Sequence, residues 1–315
     1  MPTYLARRLL SLPLLLLGIS LVSFTLLNLA PGDPAEILLG LQQPGTEPPQ
    51  EAVLALRQEL GLDDPLPLRY GRWLLGALQG DLGVSYRSGQ PIMVELAQRL
   101  PATIMLAVTS LALAMVISIP LGIASAVWRG SLVDGFSRLL ALLGAAVPSY
   151  LLVLLLILLF AVTLHWLPAI GYGSLRQLVL PAVALAVGSS AQLLRLTRAN
   201  MLEVLQQDYV RTARAKGMRE RRVIWVHALK NAILPVVTVL GMNVGHLLGG
   251  TVIVETVFSW PGVGKYAIDA IFLRDYPVIQ GFVLYLAVIF LLVNLLVDLT
   301  YRWLNPRLHF SAPAS

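Results

Sequence analysis

The chain contains no cysteine. A disulfide framework, a thiolate metal site and a cysteine nucleophile are therefore all excluded. Charge is scarce as well: 13% of the 315 residues are Asp, Glu, Lys or Arg, about half the share in an ordinary soluble domain. No Gly-x-x-x-x-Gly-Lys-Ser/Thr string occurs. The nearest, Gly262-Val263-Gly264-Lys265-Tyr266, lacks both the spacing and the hydroxyl that would hold magnesium on a nucleotide. There is no His-Glu-x-x-His pair, no repeat at solenoid spacing and no low-complexity stretch. What the chain has in quantity is apolar surface, 57% of residues with a mean hydropathy of +0.76, so lipid must be the solvent for much of it.

Crossing the hydrocarbon takes about 20 apolar residues in a helix rising 1.5 Å per residue. Segments 9–30, 102–128, 139–164, 178–194, 233–254 and 278–299 meet or approach that length, the fourth being short and containing Pro181. The fold class expected is all-α, with six transmembrane helices. Arg7 and Arg8 ahead of the first segment imitate a secretory leader, but the apolar run is too long and lacks a small-x-small cleavage site, so it reads as an uncleaved first helix. A net charge of +6 does not point to nucleic acid, because the basic residues are interleaved with apolar runs and form no aromatic stacking platform.

Orientation follows from basic residues in short connections, which resist translocation. Fifteen of the 23 Lys and Arg residues fall on one side of the six segments, nine of them between Arg195 and Lys230. That side reads as cytoplasmic and carries both termini. The division expected is 1–30 for the N-terminus and first helix, 31–100 for an extracytoplasmic cap, 101–307 for helices two to six, and 308–315 for a cytoplasmic tail. Within the cap, Val53, Leu56 and Leu60 share a helical stripe closed by Gly61, and 70–78 forms a second short helix. Either these helices merely cover the bundle or they dock a partner. Pro120, Pro148, Pro181 and Pro235 lie inside the apolar segments, where freed backbone groups need neighbouring helices or a wet cavity.

The connection at 198–230 is the most unusual stretch. It reads as helix, glycine turn, helix: Asp208-Tyr209-Val210-Arg211-Thr212-Ala213-Arg214-Ala215-Lys216-Gly217 precedes an apolar stripe of Val223, Ile224, Val226 and Leu229. A loop that only had to be soluble would not need small residues there, and Ala213 and Ala215 leave room for another protein surface. These residues resemble the coupling loop of bacterial ABC importer permeases, in the Tyr-x-Arg-Thr-Ala-Arg-Ala-Lys-Gly form of the dipeptide, oligopeptide, glutathione and nickel importers. The resemblance extends along the chain through Pro31-Gly32-Asp33-Pro34, Gly61-Leu62-Asp63, Gly80-Asp81-Leu82-Gly83, Pro101-Ala102-Thr103, Phe258-Ser259-Trp260-Pro261-Gly262, Arg274-Asp275-Tyr276-Pro277-Val278 and Asn305-Pro306-Arg307. Arg211-Thr212-Ala213 stands where many permeases have Glu-Ala-Ala, as is usual in the peptide and nickel branch.

The resemblance implies a non-enzymatic transport subunit of a bacterial inner membrane. Its partners would be a homologous second permease, two ATPases and an extracytoplasmic substrate-binding protein, with ATP and magnesium held by the ATPases and no cofactor in this chain. Asp208, Tyr209, Arg211, Thr212, Ala213, Ala215, Lys216 and Gly217 would form the helix that docks on an ATPase. Short peptides come first as substrates, then nickel or its chelates, then glutathione. The cap and a short helix within 255–277 would meet the binding protein.

Polar residues at membrane depth are costly and usually face a cavity, which makes Ser149, Ser189, Gln192, Asn243 and His246 candidates to line a pathway. His246 either touches a chelated metal or a carboxylate in transit, or is simply satisfied by a neighbouring helix. The second reading is favoured because no other ligand lies one turn away. Gly241, Gly245 and Gly249 recur every four residues, a spacing that lets membrane helices approach closely and suits packing on a second permease better than pore lining. Asp298 and Arg302 form a pair one turn apart at the inner interface. An intramembrane hydrolase would need a complete triad beside Ser189 and Ser190, and an ion-coupled transporter would need buried carboxylates, of which only Asp298 falls in a predicted segment.

Overall fold

The computed structural model describes the backbone of residues 2–29, 32–42 and 48–304; the side chains of 2–11, 41, 42, 246, 248–250 and 298–304 lie outside the described set. Among the described residues the chain is helical throughout, with a single isolated β-bridge between Val84 and Pro91. The Asp298–Arg302 pair, Arg7, Arg8 and the 308–315 tail fall outside the described residues. The chain divides into two compact units, one of 1–102 with 261–291 and one of 103–260 with 292–315.

The first unit contains α1 (Pro2–Asn28), α2 (Pro34–Gln42), α3 (Gln50–Glu59), α4 (Leu66–Leu78), α12 (Val263–Phe272) and the beginnings of two long helices, α5 (Ile92–Val127) and α13 (Tyr276–Leu304). α3 ends at Glu59, with Leu60 as its C-cap and Gly61 left-handed just beyond, and α4 starts at Leu66 behind Pro65. α2 was not foreseen. α5 begins at Ile92, so the boundary drawn at 100/101 falls inside a continuous helix. Phe24 of α1 packs edge-on against Tyr70 at 5.4 Å, and Tyr70 stacks with Trp73 at 6.3 Å, which fastens α4 to the end of α1. Leu82, Ile92, Leu96, Val263, Ala270 and Val278 make the apolar core. Buried Asp275 closes it, accepting from the Ser85 hydroxyl at 2.6 Å and from the Tyr86 N–H at 3.1 Å.

The second unit holds the rest of α5, then α6 (Leu132–Ala146), α7 (Ser149–Leu156) continued by a π-helical turn Ile157–Thr163, α8 (Leu175–Val204), α9 (Asp208–Ala215), α10 (Glu220–Arg222) with a second π-helical turn Val223–Ala228, and α11 (Leu229–Val257). α8 lies against α6 and α11. It starts from a capping box in which Ser174 and Gln177 exchange backbone bonds.

Among the described residues four helices are long and apolar enough to cross a membrane, at Ile92–Val127, Leu175–Val204, Glu220–Gly245 and Tyr276–Val297. The third predicted segment is instead a bent pair, Leu132–Ala146 and Ser149–Thr163, turned by 106°. Pro148 is the cause: it lacks an N–H and forces Val147 out of the helical region (φ −80°, ψ 121°). Pro181 and Pro235 are carried inside α8 and α11 without a break. The first predicted segment contributes a shorter apolar stretch, Leu12–Asn28.

A buried ionic knot fixes how α8 sits. The Asp134 carboxylate is 2% exposed and accepts from Arg198 at 2.8 and 3.1 Å, from the Ser125 hydroxyl at 2.7 Å and from the Gly130 N–H at 3.0 Å. One carboxylate thus ties α5, the α5–α6 turn, α6 and α8 together. The helices meet closely there, since a Cβ on Gly122 would stand 2.7 Å from the Thr197 Cβ.

Removing one partner of a buried pair leaves an uncompensated charge, which typically costs about 3–5 kcal/mol. Arg198→Met is expected to lower the thermal unfolding midpoint of the detergent-solubilised chain accordingly, and Asp134→Asn with Arg198→Gln to recover more than half of the loss. A single variant as stable as the parent would show that Asp134 is no anchor.

Candidate functional site

The polypeptide beyond α8 makes a sharp elbow. α9 ends in a turn where the Gly217 N–H donates to the Arg214 carbonyl at 2.9 Å and the Met218 N–H to the Ala213 carbonyl at 3.3 Å, the paired bonds of a Schellman motif. Gly217 occupies the position that requires a left-handed backbone, with φ +74°. Apart from its chain neighbours, a Cβ there would meet no atom of the described residues within 4 Å, so conformation and not crowding selects glycine. Arg214 closes the elbow on Glu220 at 2.6 Å, and that hydrogen bond raises the guanidinium above its ordinary value.

A small core stiffens it: Val210, Ala213 and Val223 are buried together against Val204, Leu205 and Met218. Ala213 is 6% exposed, so its small size serves this internal packing, contrary to the expectation that it leaves room for a partner. Asp208, Tyr209, Arg211, Thr212, Ala215, Lys216 and Gly217 are exposed. The Tyr209 hydroxyl accepts from Asn231 Nδ2 at 2.8 Å, which links the exposed face of α9 to the first turn of α11. The Thr212 hydroxyl donates to the Asp208 carbonyl at 2.9 Å. The elbow therefore offers a firm outward face on a packed base.

The polar residues proposed from the sequence for a pathway lie on α7, α8 and α11. Ser149 is exposed at the start of α7. Ser189 is half-buried and Gln192 exposed on α8, where Gly188, Gln192, Arg195 and Ala199 form one exposed stripe at helical spacing while the opposite face is buried. Asn243 is 7% exposed, and its Nδ2 has no hydrogen-bond partner among the described residues. The side chain of His246 and the surroundings of Gly249 lie outside the described residues. Gly245 is buried. Gly241 packs within the chain, since a Cβ there would stand 2.5 Å from Val297 Cγ1 on α13. Among the described residues no group of three His, Asp or Glu side chains is placed to hold a metal ion.

The sequence reading missed two buried carboxylates besides Asp275. In sequence Asp134 stands between Arg129 and Arg138, cations that by themselves mark only orientation. Glu255, in the last turns of α11, is fully buried and accepts from the Thr103 hydroxyl at 2.7 Å. A carboxylate in an otherwise apolar helix was the available signal.

Residues 1–107 match the N-terminal membrane component, and residues 118–310 the inner membrane component, of binding-protein-dependent transport systems. The chain belongs to this family. It is a permease subunit of the ABC importer type and not an enzyme. It is 43% identical to the glutathione transport system permease protein GsiC of Pectobacterium atrosepticum and 40% identical to that of Escherichia coli K12, each alignment covering 98% of this chain and all of the relative. The MetNI methionine ABC transporter in an inward-facing conformation shares the fold, with TM-score 0.58 and 19% identity over 68% of this chain and 98% of that one. An amino acid ABC transporter gives 0.51 and 17% over 66% and 94%.

Left-handed backbone disfavours residues other than glycine by about 1–2 kcal/mol, and asparagine least. In this permease Gly217→Asn is expected to retain transport within about twofold, and Gly217→Val to lose more than about tenfold, measured as substrate uptake into membrane vesicles. Equal losses in both variants would mean that a close approach from outside the chain, not backbone conformation, demands glycine.

Proposed function

We propose that this chain forms half of the translocation pathway of an ABC importer for small peptides, working with a homologous second permease, two ATPase subunits and an extracytoplasmic binding protein. The observation that carries the proposal is the elbow: an exposed, internally packed helix whose base continues directly into α8 and α11. An ATPase that closes on ATP can push such a face, and the two long helices then turn with it. Asp208, Tyr209, Arg211, Thr212, Ala215, Lys216 and Gly217 are the contact surface, with Ala213 holding them from beneath.

Six crossings with both termini in the cytoplasm fit the chain best. The four long helices and the bent pair supply five, and α1, with 27 residues, is about 40 Å long at 1.5 Å per residue. Basic residues crowd the side on which the elbow lies. The exposed stripe of α8, with Gln192 on it and half-buried Ser189 beside it, is the part that faces the pathway, joined by Ser149. The cap at 31–100 and α12 supply the surface for the binding protein. Glutathione is a tripeptide, and the names of the relatives bring it to the front of the substrate list beside other short peptides, ahead of nickel.

Uptake of labelled glutathione, mixed dipeptides and nickel in a strain lacking this gene decides among these. The expected result is glutathione or peptide uptake that returns with the gene and stops when ATP is depleted, with nickel uptake unaffected. Uptake that persists without ATP would contradict the proposal.

A further inference from the structure

The first unit contains a cleft of about 550 Å³ whose lining includes Phe24, Leu27 and Asn28 at the end of α1, Arg69 and Trp73 of α4, and Gln280 of α13. Its charges are unevenly spent. Arg57 is held by Asp33 and Asp63, and Arg72 by Asp64. The Asp33 carboxylate, which also lines the cleft, is used by Arg57 and by the Ala35 N–H. Arg69 has no carboxylate within 4 Å among the described residues and makes one long bond, 3.3 Å, to the Leu62 carbonyl. Burial pushes its guanidinium below the ordinary value, the response of a cation lacking a counter-charge.

Two further donors are idle there. Gln280 is 8% exposed, and among the described residues its Nε2 has no hydrogen-bond partner; the same holds for the buried Trp73 Nε1. Leaving a buried donor unmade costs about 1–3 kcal/mol each, so a cleft with this pattern is complete only with an acceptor in it. Tyr86, on the same wall, is pushed up to about 12 by burial and by Asp275, which keeps its phenol neutral. Three donors, one of them cationic, and no free carboxylate select an oxyanion.

We propose that this cleft binds a single oxyanion, a phosphate or carboxylate, received by Arg69, Gln280 and Trp73. The neighbouring surface argues for a phospholipid headgroup as the carrier. α1 exposes Leu21, Val22 and Leu26, with Leu29 just beyond its end, beside the three residues it contributes to the cleft, a strip along which acyl chains lie while the phosphate sits among the donors. A small soluble anion has the same chemistry without the tail.

The test uses the full-length chain in the assembly with which it co-purifies, delipidated in detergent. Native mass spectrometry after addition of phosphatidylglycerol is run beside thermal unfolding in inorganic phosphate and in acetate. A lipid adduct that Arg69→Gln with Gln280→Leu weakens by about tenfold or more identifies the lipid. A midpoint raised by phosphate or acetate, lost in the same variant and unaccompanied by a lipid adduct, identifies a soluble source. If that variant does not assemble, Gln280→Glu, of similar volume but opposed to an anion, is read in the same way and is also expected to bind about tenfold more weakly. Absence of binding by the parent chain, or binding that the assembled variant leaves unchanged, overturns the proposal.

Discussion

A single carboxylate in an apolar bundle governs much of the second unit. Asp134 cannot stay ionised out of water unless it is paired and hydrogen-bonded, and the groups that satisfy it come from α5, the α5–α6 turn and α8. That requirement sets the rotation of α8 about its axis. Its buried side then packs through Ala186, Leu193 and Met201, leaving Gly188, Gln192, Arg195 and Ala199 outward. Without the pairing, small residues such as Ala186 would fix that rotation only weakly.

The consequence for function lies one turn further on. α8 ends at Val204, and α9 begins at Asp208. Val204 and Leu205 are part of the core under α9, so the elbow is an extension of α8 more than a loop hung from it. Met201 shares a cluster with Ala228 and Ala232, which brings the far side of the elbow back onto the same helix. A push on the exposed face of α9 therefore reaches two membrane helices through packed side chains. The π-helical turn at Val223–Ala228 stands where the elbow joins α11, a type of irregularity often found at functional positions.

Much of the fold was legible in the sequence because the lipid solvent leaves few options. Long apolar runs must be helices, and four of the six predicted segments stand as long apolar helices. Pro148 stands out as a breaker, but a proline inside an apolar run gives no hint of whether the helix runs on, as α8 does through Pro181, or turns by 106°. Gly217 and the form of the elbow could be read from spacing. The burial of Ala213 could not, because a small residue serves equally for internal packing and for outside contact, and only the position of Val223 across the turn decides. Ion pairs such as Asp134 with Arg198, 64 residues apart, are invisible to periodicity. The cap reads from sequence as two helices, and α2, only nine residues long from Pro34 to Gln42, is too short for its periodicity to stand out.

The account stands on the outward face of the elbow being the surface that a motor subunit grips. The chain has no cysteine, so Lys216→Cys gives it one thiol at a known position, and the unsubstituted transporter serves as the control for thiols on the other subunits. Joined to a short photoactivatable maleimide in inside-out vesicles of the assembled transporter, it is predicted to cross-link to an ATPase subunit, with a yield that changes when ATP is added. Labelling of that thiol from the outside of intact cells, or an assembled and active transporter in which it reaches no ATPase subunit, would contradict the account.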